Sequence, residues 1–307
     1  MCLSPGSCNQ IKGMYIGIDH GTTAIRFSNG EREFKLSRER ARTFSYADLT
    51  QLGPLSSIRG IAVCYSMGDA IARITPIQNV QNRGVVSREG AGKHIGGGTR
   101  VFDEIAQSGL PAVVIPGLHR DSPTDPRFRV YSHQASPEKV GIAYEVVHQR
   151  GGDVIISDIS SNTVTMLVSG GRLIGALDAC IFAPGTQHGA IDVDAIRRID
   201  RGELSANEAF QHAGVRYTLP APARTPALAL FAAMECAALR VLNPRAVVAL
   251  SGSVAKSVAP EIERLLGQPV ATYDEWCAAR GLARIAADVF RGKREILGLE
   301  VEKIPGI

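Results

Sequence analysis

The chain has 307 residues, 45% of them hydrophobic, with 34 Lys and Arg against 30 Asp and Glu for a formal net charge of +4. That length suits two ordinary domains with separate cores, and a mild charge with no basic block interleaved with aromatics argues against nucleic acid as a partner. Six cysteines show neither a C-x-x-C pair nor metal-ligand spacing with histidine, so they read as separate reduced thiols of a cytoplasmic protein.

Residues 1–13 lack the apolar core of a signal peptide and read as a disordered leader ahead of Met14. An apolar strand, Tyr15-Ile16-Gly17-Ile18-Asp19, then runs into the small polar loop His20-Gly21-Thr22-Thr23. A β-hairpin turning at Asn29-Gly30 follows over residues 24–36. Residues 58–65 and 112–116 read as short buried strands. Between them, residues 84–99 form a glycine-rich loop that fails the Walker A spacing because His94 follows Lys93; such a loop can present Lys93 to a cleft. Residues 118–131 read as irregular. Ser136-Pro137-Glu138 opens a helix, with Ser136 capping it, and Gly151-Gly152 ends that helix.

The opening pattern then returns. Val154-Ile155-Ile156-Ser157-Asp158 is followed by Ile159-Ser160-Ser161-Asn162 and by a hairpin turning at Gly170-Gly171. Asp192 caps a helix, and Ser205 with Glu208 makes a capping box. Residues 226–242 form an apolar helix that opens at Thr225-Pro226. Glu235 and Arg240 interrupt this run, which falls short of the ~20 residues a membrane span requires. A buried strand at 246–250 leads into the turn Ser251-Gly252-Ser253, whose glycine lets a flat ligand approach the backbone. Asp274 caps a last helix over residues 275–290. Strands alternating with helices, each half opening with a hairpin, predict α/β domains built on mixed sheets.

The repeated loop carries the chemistry. A triphosphate with Mg²⁺ needs backbone amides and hydroxyls as donors and carboxylates that hold the metal through water. Asp19 and Asp158 supply the carboxylates at strand ends, while Gly21, Thr22 and Thr23 face Ser160, Ser161 and Asn162 as donor sets. His133 precedes the Ser-Pro helix start, and His20, His119 and His188 are further imidazoles near the predicted loops.

With its two phosphate loops, later glycine turn and linking helices at 140–145 and 281–288, the chain resembles the actin, Hsp70 and sugar/acetate kinase superfamily from residue 14 to 290. The resemblance implies two duplicated actin-like ATPase domains of ribonuclease H-like α/β fold, 14–143 and 144–290, followed by a tail at 291–307. ATP and Mg²⁺ would lie between them, with adenosine at Gly252 and Ser253. The order of Tyr131-Ser132-His133-Gln134, the second loop and the segment 185–192 is most similar to acetate and butyrate kinases, in which the residue at the place of His133 lies beside the transferred phosphoryl group. His133 on that likeness, with Asp158 of the second loop and Lys93 of the glycine-rich loop, would be catalytic. Gln187 stands where those enzymes place an arginine, and no glutamate stands around Gly281 and Leu282.

Whole phrases, among them residues 16–26, 116–120, 132–139, 157–165 and 192–200, resemble methanogenesis marker protein 12, a family of methanogenic archaea. That likeness implies a role tied to methane formation or its enzymes, which with the superfamily resemblance reads as an ATPase or phosphotransferase associated with methanogenesis. The alternative is an ATP-driven switch or assembly factor for a methanogenesis enzyme, with no small-molecule acceptor. The expected partners are a nucleotide and either such an acceptor or a methanogenesis-related protein; a homodimer is also admitted.

Overall fold

The computed structural model describes residues 13–65, 68–86 and 96–306, so Lys93 and nearly all of the expected leader lie outside the described residues. The first lobe opens with an antiparallel meander, β1 (Met14–His20), β2 (Ala24–Ser28) and β3 (Glu33–Ser37). Strand β4 (Ile58–Val63) runs parallel to β1. After β5 (Thr75–Pro76) and helix α1 (Gly97–Gln107), β6 (Ala112–Val114) completes a sheet of order β3-β2-β1-β4-β6-β5. The first turn is longer than the Asn29-Gly30 pair suggested. It spans residues 29–32, and the Asn29 side-chain oxygen accepts from the amides of Glu31 and Arg32.

A short pair, β7 (Leu118–His119) with β8 (His133–Ala135), precedes helix α2 (Glu138–Arg150). The second lobe repeats the first, with β9 (Val154–Ile159), β10 (Thr163–Ser169) and β11 (Arg172–Asp178) as its meander. Here Gly170 and Gly171 both take positive φ, as a tight hairpin turn requires. Helices α3 (Val193–Asp200), α4 (Ala206–Gln211), α5 (Val215–Thr218) and α6 (Ala221–Arg240) lead to β12 (Val247–Ser251), which lies parallel to β9. Helix α7 (Ala255–Leu266) and β13 (Ala271–Thr272) complete a sheet of order β11-β10-β9-β12-β13. The chain then forms α8 (Cys277–Phe290) and a last hairpin, β14 (Glu295–Ile296) with β15 (Leu299–Glu300). Among the described residues no helix is long and apolar enough to cross a membrane.

Three local expectations are corrected. Gly97, Gly98 and Thr99, read as loop, begin α1, because packing overrides their poor helix propensity: a β-carbon on Gly97 would stand 2.3 Å from the Arg38 carbonyl oxygen. Ser136 does not cap α2; its hydroxyl donates to Glu138 Oε1 at 2.8 Å. Helix α6 starts at Ala221 and carries Pro226 inside it.

The lobes meet at two helices and one hairpin. A β-carbon on Gly281 of α8 would stand 1.8 Å from the Gly141 carbonyl oxygen of α2, so the two helices cross backbone to backbone. The expected boundary at residue 143 falls inside α2. Around this crossing Ala62 and Val113 of the first sheet, Ile156 and Met166 of the second, and Val140 and Leu282 share one buried cluster. Residues 291–307, expected to be a tail, enter the same core through Ile296, Leu299 and Val301. Their hairpin holds both lobes: Ile74 donates its amide to Glu300, and Leu173 donates to Leu297, each at 2.9 Å.

Candidate functional site

The duplicated topology places the two loops face to face. Strands β1 and β9 are central in their sheets, and the next-to-last residue of each, at the cleft, is an aspartate that is 4% exposed, Asp19 and Asp158. Across the cleft the hydroxyls of Thr22 and Ser161 are 3.1 Å apart. Asp19, Gly21, Thr22, Thr23, Asp158, Ser160, Ser161, Asn162, Gly252 and Ser253 all line one space of about 170 Å³. The sequence-predicted cofactor residues are therefore together. His133 lies outside this space, on the neighbouring cavity described below.

Each aspartate has a cation that the motif did not reveal. Arg26, paired with Asp19 by the β1–β2 register, places its guanidinium 3.5 Å from Asp19 Oδ2 and also donates to Glu275 at 3.0 Å. Burial and then the Glu138 charge raise the Asp19 carboxyl to about 7, against the pull of Arg26. In the second lobe Lys139, itself 5% exposed, places its ammonium 2.8 Å from Asp158 and 2.9 Å from Glu138. Burial opposes that charge, but the two carboxylates outweigh it and hold the Lys139 pKa above the ordinary value. The Ser160 hydroxyl also donates to Asp158, at 3.3 Å.

Asp274 and Glu275, just ahead of α8, line the same space, so carboxylates do stand at the start of the last helix although none stands around Gly281 in the sequence. Signals for these residues exist in the sequence. Lys139 heads the buried stripe Lys139, Ile142, Ala143 and Val146 of α2, an unusual place for an unpaired charge.

The donors fit a divalent cation unequally. Asp19 Oδ1 is buried without a hydrogen-bond partner, a carboxylate oxygen suited to a cation or its water, whereas Asp158 is already neutralised by Lys139. Among the described residues no group of three His, Cys, Asp or Glu could hold a metal directly. Gly252, at φ +99°, also has a packing role: a β-carbon there would stand 2.4 Å from the Ile159 carbonyl oxygen. Its missing side chain lets the β12 turn press against the second loop.

Beside the loops opens a larger cavity of about 920 Å³, lined from the first lobe by His20, Arg38, Tyr65 and His133 and from the second by Asp178 and His188. His133 is clasped between carboxylates. Its Nδ1 is 2.7 Å from Asp69 Oδ2, and its Nε2 stands 3.4 Å from Asp178 Oδ2, an electrostatic contact longer than an aligned hydrogen bond. Burial works against its charge, yet Asp178 and Asp69 prevail and raise its pKa to about 10. His133 is thus an imidazolium at neutral pH with both ring nitrogens turned to carboxylates. His20 is its opposite. Burial, then the nearby Arg38 charge, push it down to about 3, and the Cys64 carbonyl meets its Nδ1. His119 is structural: its Nε2 bonds the Ile71 carbonyl at 3.0 Å, and its Nδ1 accepts from the Asp121 amide.

Comparison with known proteins adds fold and family. No protein-family model matches the chain. The structure is similar to the crystal structure of acetate kinase from Porphyromonas gingivalis, at TM-score 0.56 and 8% identity over 90% of this chain and 99% of that one. The two mixed sheets therefore make the two-lobed fold shared by actin, Hsp70 and the sugar and acetate kinases. In sequence the chain is 46% identical to a UPF0285 protein of Methanosarcina barkeri, covering 94% of this chain and 98% of the relative. A UPF0285 protein of Methanocaldococcus jannaschii is 44% identical over the same shares. At that identity and coverage from end to end, the chain belongs to the UPF0285 family.

Proposed function

We propose that this protein binds Mg-ATP between its lobes, 14–143 and 144–290 with α2 shared, and hydrolyses it or passes its γ-phosphoryl group to a small acceptor. The observation that carries the reading is the pair of loops meeting at Thr22 and Ser161, with a buried aspartate behind each. In this reading the amides and hydroxyls of 21–23 and 160–162 bind the phosphates, and Gly252 and Ser253 approach the adenosine. Asp19 holds Mg²⁺ through water; the metal, when bound, offsets charge building up on the phosphates. Lys139 fixes Asp158 and adds positive charge near the transferred group. His133, with its donors engaged by Asp69 and Asp178, acts as a fixed positive charge on the acceptor side.

The methanogen sources of the relatives, together with the resemblance to methanogenesis marker protein 12, support a cytoplasmic role connected with methane formation. Calorimetry with Mg-ATP tests the reading. Binding that Asp19→Ala weakens at least about tenfold is expected. Absence of binding at millimolar nucleotide, with Asp19→Ala changing nothing, would end it.

A second reading, an ATP-driven switch that grips or releases a methanogenesis enzyme, is favoured by one dimension. The space between the loops is about 170 Å³, below the ~300 Å³ at which small-molecule sites begin. Nucleotide entry must therefore part Thr22 from Ser161 and move the lobes. Pull-downs in ATP and ADP states separate the readings: different partner sets mark a switch, and identical sets count against it.

A further inference from the structure

We infer that the cavity beside the phosphate loops is a binding site for a small organic acid that carries a hydroxyl next to its carboxylate and an apolar body. Its use as phosphoryl acceptor rests on the function proposed above; its existence as a binding site does not.

The anionic end follows from Arg38. This half-buried guanidinium lines the cavity and makes no hydrogen bond or ion pair among the described residues. A cation withdrawn from water with no counter-ion is costly, and an anionic ligand relieves that cost. It lies against the start of α1, whose first residues Gly97, Gly98 and Thr99 also line the cavity. No acid on the cavity wall pairs directly with Arg38, although the Asp19 and Glu138 charges favour its cation from a distance: Glu138 is tied to Lys139 and Asp178 faces His133, while Glu39 stands exposed at the rim.

The hydroxyl follows from His20. A carbonyl can only accept, so the contact with the Cys64 carbonyl places the ring proton on Nδ1, and a neutral ring then has an acceptor lone pair on Nε2. That Nε2 is buried near the Gly98 peptide without a well-formed hydrogen bond. His20 is 4% exposed and lines the cavity. A ligand O–H can satisfy it; a bare carboxylate cannot.

The two groups are close enough to read one small molecule. Arg38 Nη1 and His20 Cδ2 lie 2.3 and 3.6 Å from the point where a β-carbon on Gly98 would stand. The second-lobe lining offers an apolar surface in Ile191 and the Phe210 ring, which stacks on His188 with centroids 4.9 Å apart, beside the amides of Asn207 and Gln211. The volume of about 920 Å³ leaves room for an aromatic or branched body behind the acid.

Calorimetric titration of the full-length protein with 3-phenyllactate, 3-phenylpropionate and 3-phenyl-1,2-propanediol tests each element, with Mg-ATP titrated in parallel. The hydroxy acid should bind about fivefold tighter than the acid lacking the hydroxyl, and at least about tenfold tighter than the uncharged diol. Arg38→Gln should weaken 3-phenyllactate at least about tenfold. Gly98→Ala keeps the guanidinium but pushes it aside, and should weaken the same ligand, with circular-dichroism melting showing each variant folded. Equal affinity for all three compounds, no binding of 3-phenyllactate at millimolar concentration, or unchanged binding in folded Arg38→Gln protein would each overturn the inference. Because Mg-ATP is measured separately, loss of this site and loss of the nucleotide reading give different results.

Discussion

Lys139 shows how much a single side chain can carry without announcing it. Its ammonium is buried between Asp158 and Glu138, and removing one partner of a buried pair leaves uncompensated charge behind. Lys139→Met should therefore cost about 3–5 kcal/mol in urea unfolding, and adding Asp158→Asn should recover part of the loss. An additive double mutant would show that the pair is not coupled. His133 offers a test by pH. Its folded pKa of about 10 lies above the ordinary 6.5, so the stability it contributes is full below pH 6.5 and is lost as pH rises through 10. The stability gap between wild type and His133→Gln should accordingly shrink between pH 6.5 and 10; a constant gap would refute the charged clasp. The aspartates and hydroxyls of the loops were legible because their motif is local and occurs twice. Lys139 and Arg38 were not, since their partners or their lack of them are set by tertiary packing that no spacing encodes. Arg26 lies between these cases, because hairpin register alone pairs it with Asp19.

At the scale of elements, the meanders were legible because strand alternation and turn glycines act within a few residues. Helix α1 was not. Its opening glycines are poor helix formers, kept there because Gly97 fits against the Arg38 backbone and Ala41. The α2–α8 crossing illustrates the same point with larger consequences. Gly141 and Gly281 are 140 positions apart in sequence, so nothing local marks them as a pair, yet a side chain on either must displace helix backbone. Gly281→Ala should destabilise by about 3 kcal/mol despite alanine's better helix propensity, as read from the melting temperature. A stabilised variant would mean that the helices do not cross this closely.

For the whole molecule, the question is how two lobes so firmly joined at the back can open at the front. The crossing glycines and the shared core fix one side of the cleft, so on the function proposed the loops at Thr22 and Ser161 are the edge that must part. Replacing both with cysteine should give a disulfide under mild oxidation, and that bond should abolish Mg-ATP binding until reduced. Binding unaffected by the bond would mean that nucleotide enters without parting the loops. The hairpin of β14 and β15 has a further consequence for how the protein comes into being. Its β15 strand accepts a hydrogen bond from Ile74 in one lobe and its turn accepts one from Leu173 in the other, so the relation between the lobes depends on residues translated after everything else the cleft contains. During synthesis both meanders can emerge and pair early, but the cleft is not set until the chain beyond residue 300 leaves the ribosome. A nascent protein would thus carry its two loops for many residues before it could hold them face to face.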